Sequence, residues 1–381
     1  MPSLYVHIPF CERKCVYCDF YSIENVSRID QFISALLHEI NMYAHPGGEV
    51  EFETIFFGGG TPSLLTPEQL QSVLEQLHRT FRIRHDAEVT VETNPGTVTK
   101  ERLAEYRTLG VNRLSIGVQS FFEDELHFLS RIHDRAQAIQ CVKWARKVGF
   151  DNISLDLIYA LPGQSLERWE QNLQTGLSLG PNHLSAYGLI VEDGTPLARM
   201  VQARQVSPAP TEDEANMYEF TMECMEVHGY EHYEVSNYAK PGFRSKHNYN
   251  YWRHENYLGF GPSAHSFWHS DGSAKRWWNI ANLSHYSERL SQNELPLVSH
   301  EVLAADQLAT ERLFLGLRSD GFDIGRFRRD FGVGIGTRQQ AIIDQLVVDQ
   351  LATLNNESLR LTHKGYLLCD EICERLMPQA P

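Results

Sequence analysis

Tyr5-Val6-His7-Ile8-Pro9-Phe10-Cys11-Glu12-Arg13-Lys14-Cys15-Val16-Tyr17-Cys18-Asp19-Phe20 lies at the start of the chain. A short apolar strand, Leu4–Ile8, leads almost directly into a C-x3-C-x2-C run. Three thiolates within eight residues can reach one metal centre, because the loop between them needs only a few tight turns. The number three matters. A structural zinc site takes four protein ligands, and a closed iron–sulfur cluster takes four cysteines. A three-cysteine cluster leaves one iron open to an external molecule. A zinc ribbon would need a second paired Cys or His set, and none lies near the first. His7, inside the strand and four residues before Cys11, is expected to pack or hydrogen-bond beside the site rather than to ligate.

Outward from this stretch, strand-like and helix-like segments alternate to about residue 200. The candidate strands are Leu4–Ile8, Glu53–Phe57, Ala87–Glu92, Arg113–Gln119, Asn152–Tyr159 and His183–Val191. Between them lie amphipathic stretches at Asp30–Tyr43, Pro67–Phe81, Lys100–Leu109, Ala136–Val148 and Leu166–Leu179. Leu70, Val73, Leu74 and Leu77 recur at i, i+3, i+4 and i+7, the mark of one buried helical stripe. Thr66-Pro67-Glu68-Gln69 ahead of them reads as a capping residue, a proline at the first helical position and a glutamine at the third. Such alternation predicts a parallel sheet covered by helices. Six strands can form either an open doubly wound sheet or a curved partial barrel, and periodicity does not choose between them.

After residue 200 the rhythm changes. Ser207 to Thr211 is a turn-rich break, followed by a helix from Glu212 to His228 and an aromatic-rich, poorly periodic region from Tyr230 to Trp278. From about residue 300 the chain reads as helices ending in a small strand–helix unit, with Ser358–Thr362 and Lys364–Leu376 its last pieces, a compact three-helix or winged-helix-like domain. At 381 residues the whole suggests a large barrel or two domains.

Composition is that of a globular protein, 42% hydrophobic and 22% charged. A net charge of −15 argues against non-specific nucleic-acid binding, which needs clustered cations. The N-terminus lacks a basic region, so no signal peptide is expected, and no run of eighteen apolar residues exists to span a membrane. Contact at a membrane surface through a client protein stays open. Seven cysteines, three clustered and four scattered, are no disulfide framework, and a reducing cytoplasm is the natural compartment. Cys369 and Cys373, spaced i, i+4, are expected to pack on one helix face.

Phe57-Gly58-Gly59-Gly60-Thr61-Pro62 directly follows the second strand. Consecutive glycines permit positive φ and a close backbone approach to a ligand, at the strand end where ligands of α/β sheets bind. Polar residues sit at further strand ends: Glu92, Gln119 and, between apolar neighbours, Asp156. A carboxylate there is costly to bury without a partner, and Arg131 is a candidate cation for one of them. Singly, each could be a solvated strand end or a tight turn. Together they describe one polar rim.

These features resemble the radical S-adenosylmethionine superfamily across about residues 1–235, and the fold implied is a partial (β/α)6 barrel with a smaller, mainly helical, winged-helix-like C-terminal domain. His7 to Cys11, Cys18 to Phe20, Phe57 to Pro62, Val118-Gln119-Ser120 and Leu161-Pro162-Gly163 more narrowly resemble the oxygen-independent coproporphyrinogen III oxidase group. The resemblance implies that Cys11, Cys15 and Cys18 bind three irons of a [4Fe–4S] cluster, with S-adenosylmethionine on the fourth. Tyr5, Gly59 and Glu92 match residues contacting that cofactor. Gly60, Thr61, Gln119, Arg131 and Asp156 match residues that contact a second S-adenosylmethionine in the oxidases.

One departure redirects the functional expectation. The oxidases resemble C-x3-C-x2-C-x-C with a longer N-terminal segment, whereas here Phe20 holds the fourth cysteine's place and Cys11 is almost at the start. Both differences point to HemW-type heme chaperones, described as binding heme and delivering it to acceptor proteins. His247-Asn248-Tyr249-Asn250-Tyr251-Trp252 matches the H-N-x-x-Y-W signature associated with heme binding in that branch. An imidazole suits heme iron as an axial ligand, and the aromatic rings offer flat surfaces. On the residues alone, the other reading is a small aromatic core with His247 hydrogen-bonded inside it. The expectation is therefore a cytoplasmic heme carrier with no catalytic residue assigned, the oxidase being the alternative; heme is the cargo, the acceptor proteins are unspecified, and a homodimer is compatible with the resemblance. Its organisation would be a core over 1–235, an aromatic connecting region over 236–295 and a C-terminal domain over 296–381.

Overall fold

The computed structural model describes residues 1–43, 50–270, 273–332 and 334–377. Six parallel strands form its centre: β1 (Ser3–Ile8), β2 (Glu51–Gly59), β3 (Arg82–Thr93), β4 (Arg113–Gln119), β5 (Asn152–Tyr159) and β6 (His183–Gly188). They pair in sequence order. Val6, Ile8, Ile55, Phe57, Leu114, Ile116, Val118, Ile153, Leu155 and Leu157 are buried and fall at alternate positions, so they form one apolar face of the sheet.

Helices Ile29–Met42, Pro67–Thr80, Lys100–Thr108, Arg135–Lys147 and Leu166–Ser178 make the crossovers. Right-handed crossovers between neighbouring strands taken in order put every helix on one face, so the sheet curls around the other. That resolves the alternative left by periodicity in favour of the partial barrel: side chains from the ends of β2 to β6 line one cavity. The helix Pro67–Thr80 shows why these segments were readable. Thr66 and Gln69 form a capping box, and Leu70, Val73, Leu74 and Leu77 are buried in the core. Each such side chain stabilises by roughly 1.5–3 kcal/mol on burial.

The aromatic-rich region is more ordered than its sequence suggests. β7 (Glu231–Glu234) and β8 (Asn237–Ala239) extend the sheet antiparallel beyond β6. On the opposite edge, β9 (Tyr257–Phe260) pairs parallel with β1, and β10 (His265–Ser270), β11 (Ser273–Asn279) and β12 (Leu297–Leu303) continue antiparallel. Among the described residues the result is one open sheet of twelve strands, with β12 and β7 at its ends.

Glu39 anchors this extension. From the helix Ile29–Met42 its buried carboxyl accepts hydrogen bonds from Tyr286 Oη (2.6 Å), Gly261 N (2.8 Å) and Asn279 Nδ2 (2.6 Å). Burial raises its pKa to about 7 even against those donors.

The C-terminal part has helices Ala305–Leu317, Ile324–Phe331, Thr337–Val348, His363–Leu367 and Cys369–Leu376. They surround a small sheet of β13 (Phe322–Asp323), β14 (Ala352–Asn355) and β15 (Ser358–Leu361), the winged-helix-like unit expected. Cys369 and Cys373 both turn into its core. Among the described residues no helix is long and apolar enough to cross a membrane.

Candidate functional site

The cysteine loop is closed at its base. Cys11 N donates to Ile23 O (3.0 Å) and Ile23 N to Pro9 O (2.8 Å), which pins the loop's two ends side by side after β1. Inside it, Cys18 N donates to Cys15 O (3.3 Å). Cys11, Cys15 and Cys18 line one cavity of about 900 Å³. Among the described residues no three His, Cys, Asp or Glu side chains converge on a single-ion site. Burial raises the Cys11 thiol and holds Cys18 up at about 11, so metal binding there must displace protons.

Two polar groups reach the sulfurs from other elements. Thr61 Oγ1 donates to Cys11 Sγ (3.6 Å) and Arg131 Nη1 to Cys15 Sγ (3.5 Å). Arg131 Nη2 donates to Gly117 O (2.7 Å), while its buried Nε has no partner among the described residues. The expected pairing of Arg131 with a strand-end carboxylate is therefore corrected. Its guanidinium is drawn to the cysteine loop instead, where a cation favours thiolates.

The glycine turn after β2 is needed for close packing against that loop. Gly59 has φ +106°, and a Cβ there would lie 2.5 Å from the His7 ring. A Cβ on Gly60 would lie 2.6 Å from Phe10 O, and Gly60 N donates to Ile8 O (2.8 Å). Gly59 N donates to Glu92 Oε2 (3.2 Å), so the turn also orients a carboxyl.

Glu92 and Asp156 lie on the same cavity wall, with Gln119 at positive φ between their strands. Burial, then the neighbouring Asp156, pushes Glu92 up to about 8. Burial also raises Asp156, opposed by the hydroxyls of Ser185, Ser115 and Ser154 and by the charge of Arg113. Ser115 Oγ lies 3.2 Å from both Asp156 oxygens. Among the described residues neither carboxyl is ion-paired; Glu92 accepts from Gly59 N and Asp156 from Ser115 Oγ.

Ten of the expected residues thus meet in this cavity: the three cysteines, Gly59, Gly60, Thr61, Glu92, Gln119, Arg131 and Asp156. Ser115, Ser154, Ser185 and Arg113 were missed as support. Their signal was the presence of hydroxyls and a cation in otherwise apolar strands.

Tyr5 and His247 lie elsewhere. Tyr5 Oη is hydrogen-bonded to His7 Nδ1 (3.1 Å), and His7 Nε2 to Tyr21 O (2.8 Å). Tyr5 lines a second cavity of about 770 Å³. His247, 1% exposed, shares hydrogen bonds with Thr54 Oγ1 at Nδ1 (2.7 Å) and Tyr251 Oη at Nε2 (2.9 Å), and stacks on Phe56. Both ring nitrogens of His247 are thus engaged by hydroxyls inside a buried aromatic cluster. Tyr251, which His247 holds, lines the second cavity.

Comparison with known proteins agrees with this architecture. The radical SAM superfamily profile matches residues 5–175, and the HemN C-terminal domain profile matches residues 303–368. The chain is 38% identical to the heme chaperone HemW of Bacillus subtilis over 98% of each chain. It is 35% identical to that of Lactococcus lactis over 98% of this chain and 97% of the relative, and 41% identical to that of Escherichia coli over 69% of each. Among solved structures, coproporphyrinogen III oxidase HemN of Escherichia coli superposes with a TM-score of 0.84 at 24% identity, covering 99% of this chain and 90% of that one, a likeness of fold.

Proposed function

This chain belongs to the HemW family of the radical SAM superfamily, and from that premise we propose that it is a heme carrier that binds heme and passes it to acceptor proteins. The observation that carries the proposal is near full-length identity to proteins named heme chaperones, joined to a site of three cysteines and no fourth. Cys11, Cys15 and Cys18 would hold a [4Fe–4S] cluster, and S-adenosylmethionine would occupy its open side. When bound, the cluster and its ligand supply one-electron chemistry at the sulfonium.

This chain's own residues do the rest. The shared cavity, the unpartnered Arg131 Nε and the Thr61 and Arg131 contacts to sulfur support the fit. Arg131 donates to Cys15 Sγ and among the described residues keeps one buried donor free for an anionic group such as a ligand carboxylate. Gly59 and Gly60 present only backbone to the cavity, and Gly59 N already donates to Glu92. Glu92 and Asp156 suit the positive charges of S-adenosylmethionine, and the wall formed by Gly60, Thr61, Gln119, Arg131 and Asp156 would take a second molecule of it. Tyr5 stands outside this cavity and would act through His7. The compartment proposed is the cytoplasm, and a homodimer would be compatible with the carrier role.

The test uses anaerobically reconstituted protein. Wild type should bind about four irons per chain, take up hemin and release it to an apo-acceptor, without turning over coproporphyrinogen III. Cys11→Ser should lose the cluster's absorbance and most of its iron. Multiple turnovers of coproporphyrinogen III, or no hemin uptake, would overturn the carrier assignment.

A further inference from the structure

We infer that heme is held in the second cavity, against the aromatic side chains of β9 and β10, with His265 as the axial ligand to its iron. This rests on the carrier reading above. At about 770 Å³ the cavity has a size typical of sites for cofactor-sized ligands, roughly 300–1,000 Å³. Tyr257, Phe267, Phe314 and Tyr251 supply flat apolar walls, the surface that a porphyrin face requires.

Three histidines line this cavity, and their hydrogen bonds separate them. His7 has both ring nitrogens occupied, by Tyr5 and Tyr21. His254 Nε2 lies 3.0 Å from Glu311, its ring face is covered by Phe267 at 4.5 Å and its side chain is 13% exposed, so it is packed into the wall. His265 differs. It begins β10 with its side chain exposed, and among the described residues its ring has no hydrogen-bond partner. Its one ring contact is stacking on Trp278, with centroids 5.8 Å apart and planes 20° from parallel. Stacking restrains the imidazole's orientation while leaving its nitrogen lone pair free, which is what an axial ligand offers.

Charge sets the orientation of the cargo. Arg276 lies in the lining but is paired with Glu301 and Glu311, and Asp19 adds an exposed carboxylate. The heme propionates are therefore left to solvent, with a porphyrin edge accessible to an acceptor. His247 supports this site from behind, through its hydrogen bond to Tyr251.

Hemin titrated into untagged, cluster-loaded full chain tests the assignment. Wild type should bind saturably with a Soret band. His265→Gly should bind at least about tenfold more weakly with a shifted Soret maximum, and free imidazole should restore the wild-type spectrum. His265→Gln, closer in size and able to stay folded in any case where glycine weakens the strand, should show the same weakening with an unchanged thermal midpoint before hemin is added. Wild-type affinity and spectrum in both variants would overturn the site, as would weakened binding that imidazole fails to restore. Failure of wild type to take up hemin at all would instead overturn the carrier reading on which the inference rests.

Discussion

Glu92 lies beside Asp156 at the strand ends, where its carboxyl accepts from Gly59 N and that of Asp156 from Ser115 Oγ. A carboxyl so placed holds its proton until about pH 8, against an ordinary value of 4.5. Between those values the folded chain binds more protons than the unfolded one, so this group's contribution to stability is full below about pH 4.5 and is lost as pH rises through 8. Glu92→Gln removes the titration. Thermal midpoints of metal-free protein from pH 5 to pH 9 should therefore fall more steeply for wild type than for the variant, with a differential on the order of a few kcal/mol at most. Parallel curves would show that Glu92 is already ionised in the folded state. At this scale the sequence was informative about which residues gather at the first cavity and silent about their partners. Cys11, Gly59 and Asp156 were legible because their residue types are costly or unusual where they stand. His247 was not, since the partner closing its Nδ1 is Thr54, 193 residues away. Arg131 misled for the same reason: its sulfur partner lies 116 residues before it.

Strands β1 to β6 and their helices could be read in advance because each carries its own period and its own caps. The strands from β9 to β12 could not. β9 is four residues long and its neighbour β1 lies at the other end of the sequence, Ser3 opposite Tyr257, so nothing local specifies it. What secures it is Glu39, one carboxyl accepting from three separate segments. Glu39→Ala would leave buried donors on Gly261, Asn279 and Tyr286 without their acceptor. An unsatisfied buried group costs about 1–3 kcal/mol, so the urea midpoint should fall by an amount equivalent to roughly 3 kcal/mol. The same change should loosen hemin binding more than iron binding, because Gly261 leads into the β10 wall of the second cavity and not into the cysteine loop. Equal losses of hemin and iron would show that the strand extension and the barrel unfold together. Glu39→Gln, which keeps acceptor capacity at one oxygen, should recover part of the stability.

At the scale of the whole molecule, the two cavities share a wall. Asp19 and Phe20 line both, and Phe20 is 61% exposed, so the end of the cysteine loop faces each compartment with little packing to hold it in place. The base of the loop is fixed by its bonds to Ile23, and beyond Cys18 the backbone is held at Phe20 O by Lys14 Nζ (2.9 Å) and at Tyr21 O by His7 Nε2 (2.8 Å), while the Phe20 ring itself stays exposed. On the proposed reading, a cluster bound by Cys18 tethers Phe20 against the heme side. Losing the cluster would free that wall while leaving β9, β10 and His265 in position. The expected outcome is kinetic: Cys18→Ser should take up hemin at near wild-type stoichiometry, yet release it several-fold faster to apomyoglobin, followed by the change in the Soret band. Phe20→Ala with its cluster intact should show the same acceleration, since it removes the wall directly. If cluster-free and cluster-loaded proteins release hemin at one rate, the cavities are energetically independent. The residue that replaces a fourth cysteine would then have no part in retaining the cargo. A faster rate in both variants would place control of hand-off in the cluster loop, with the iron–sulfur site acting through geometry.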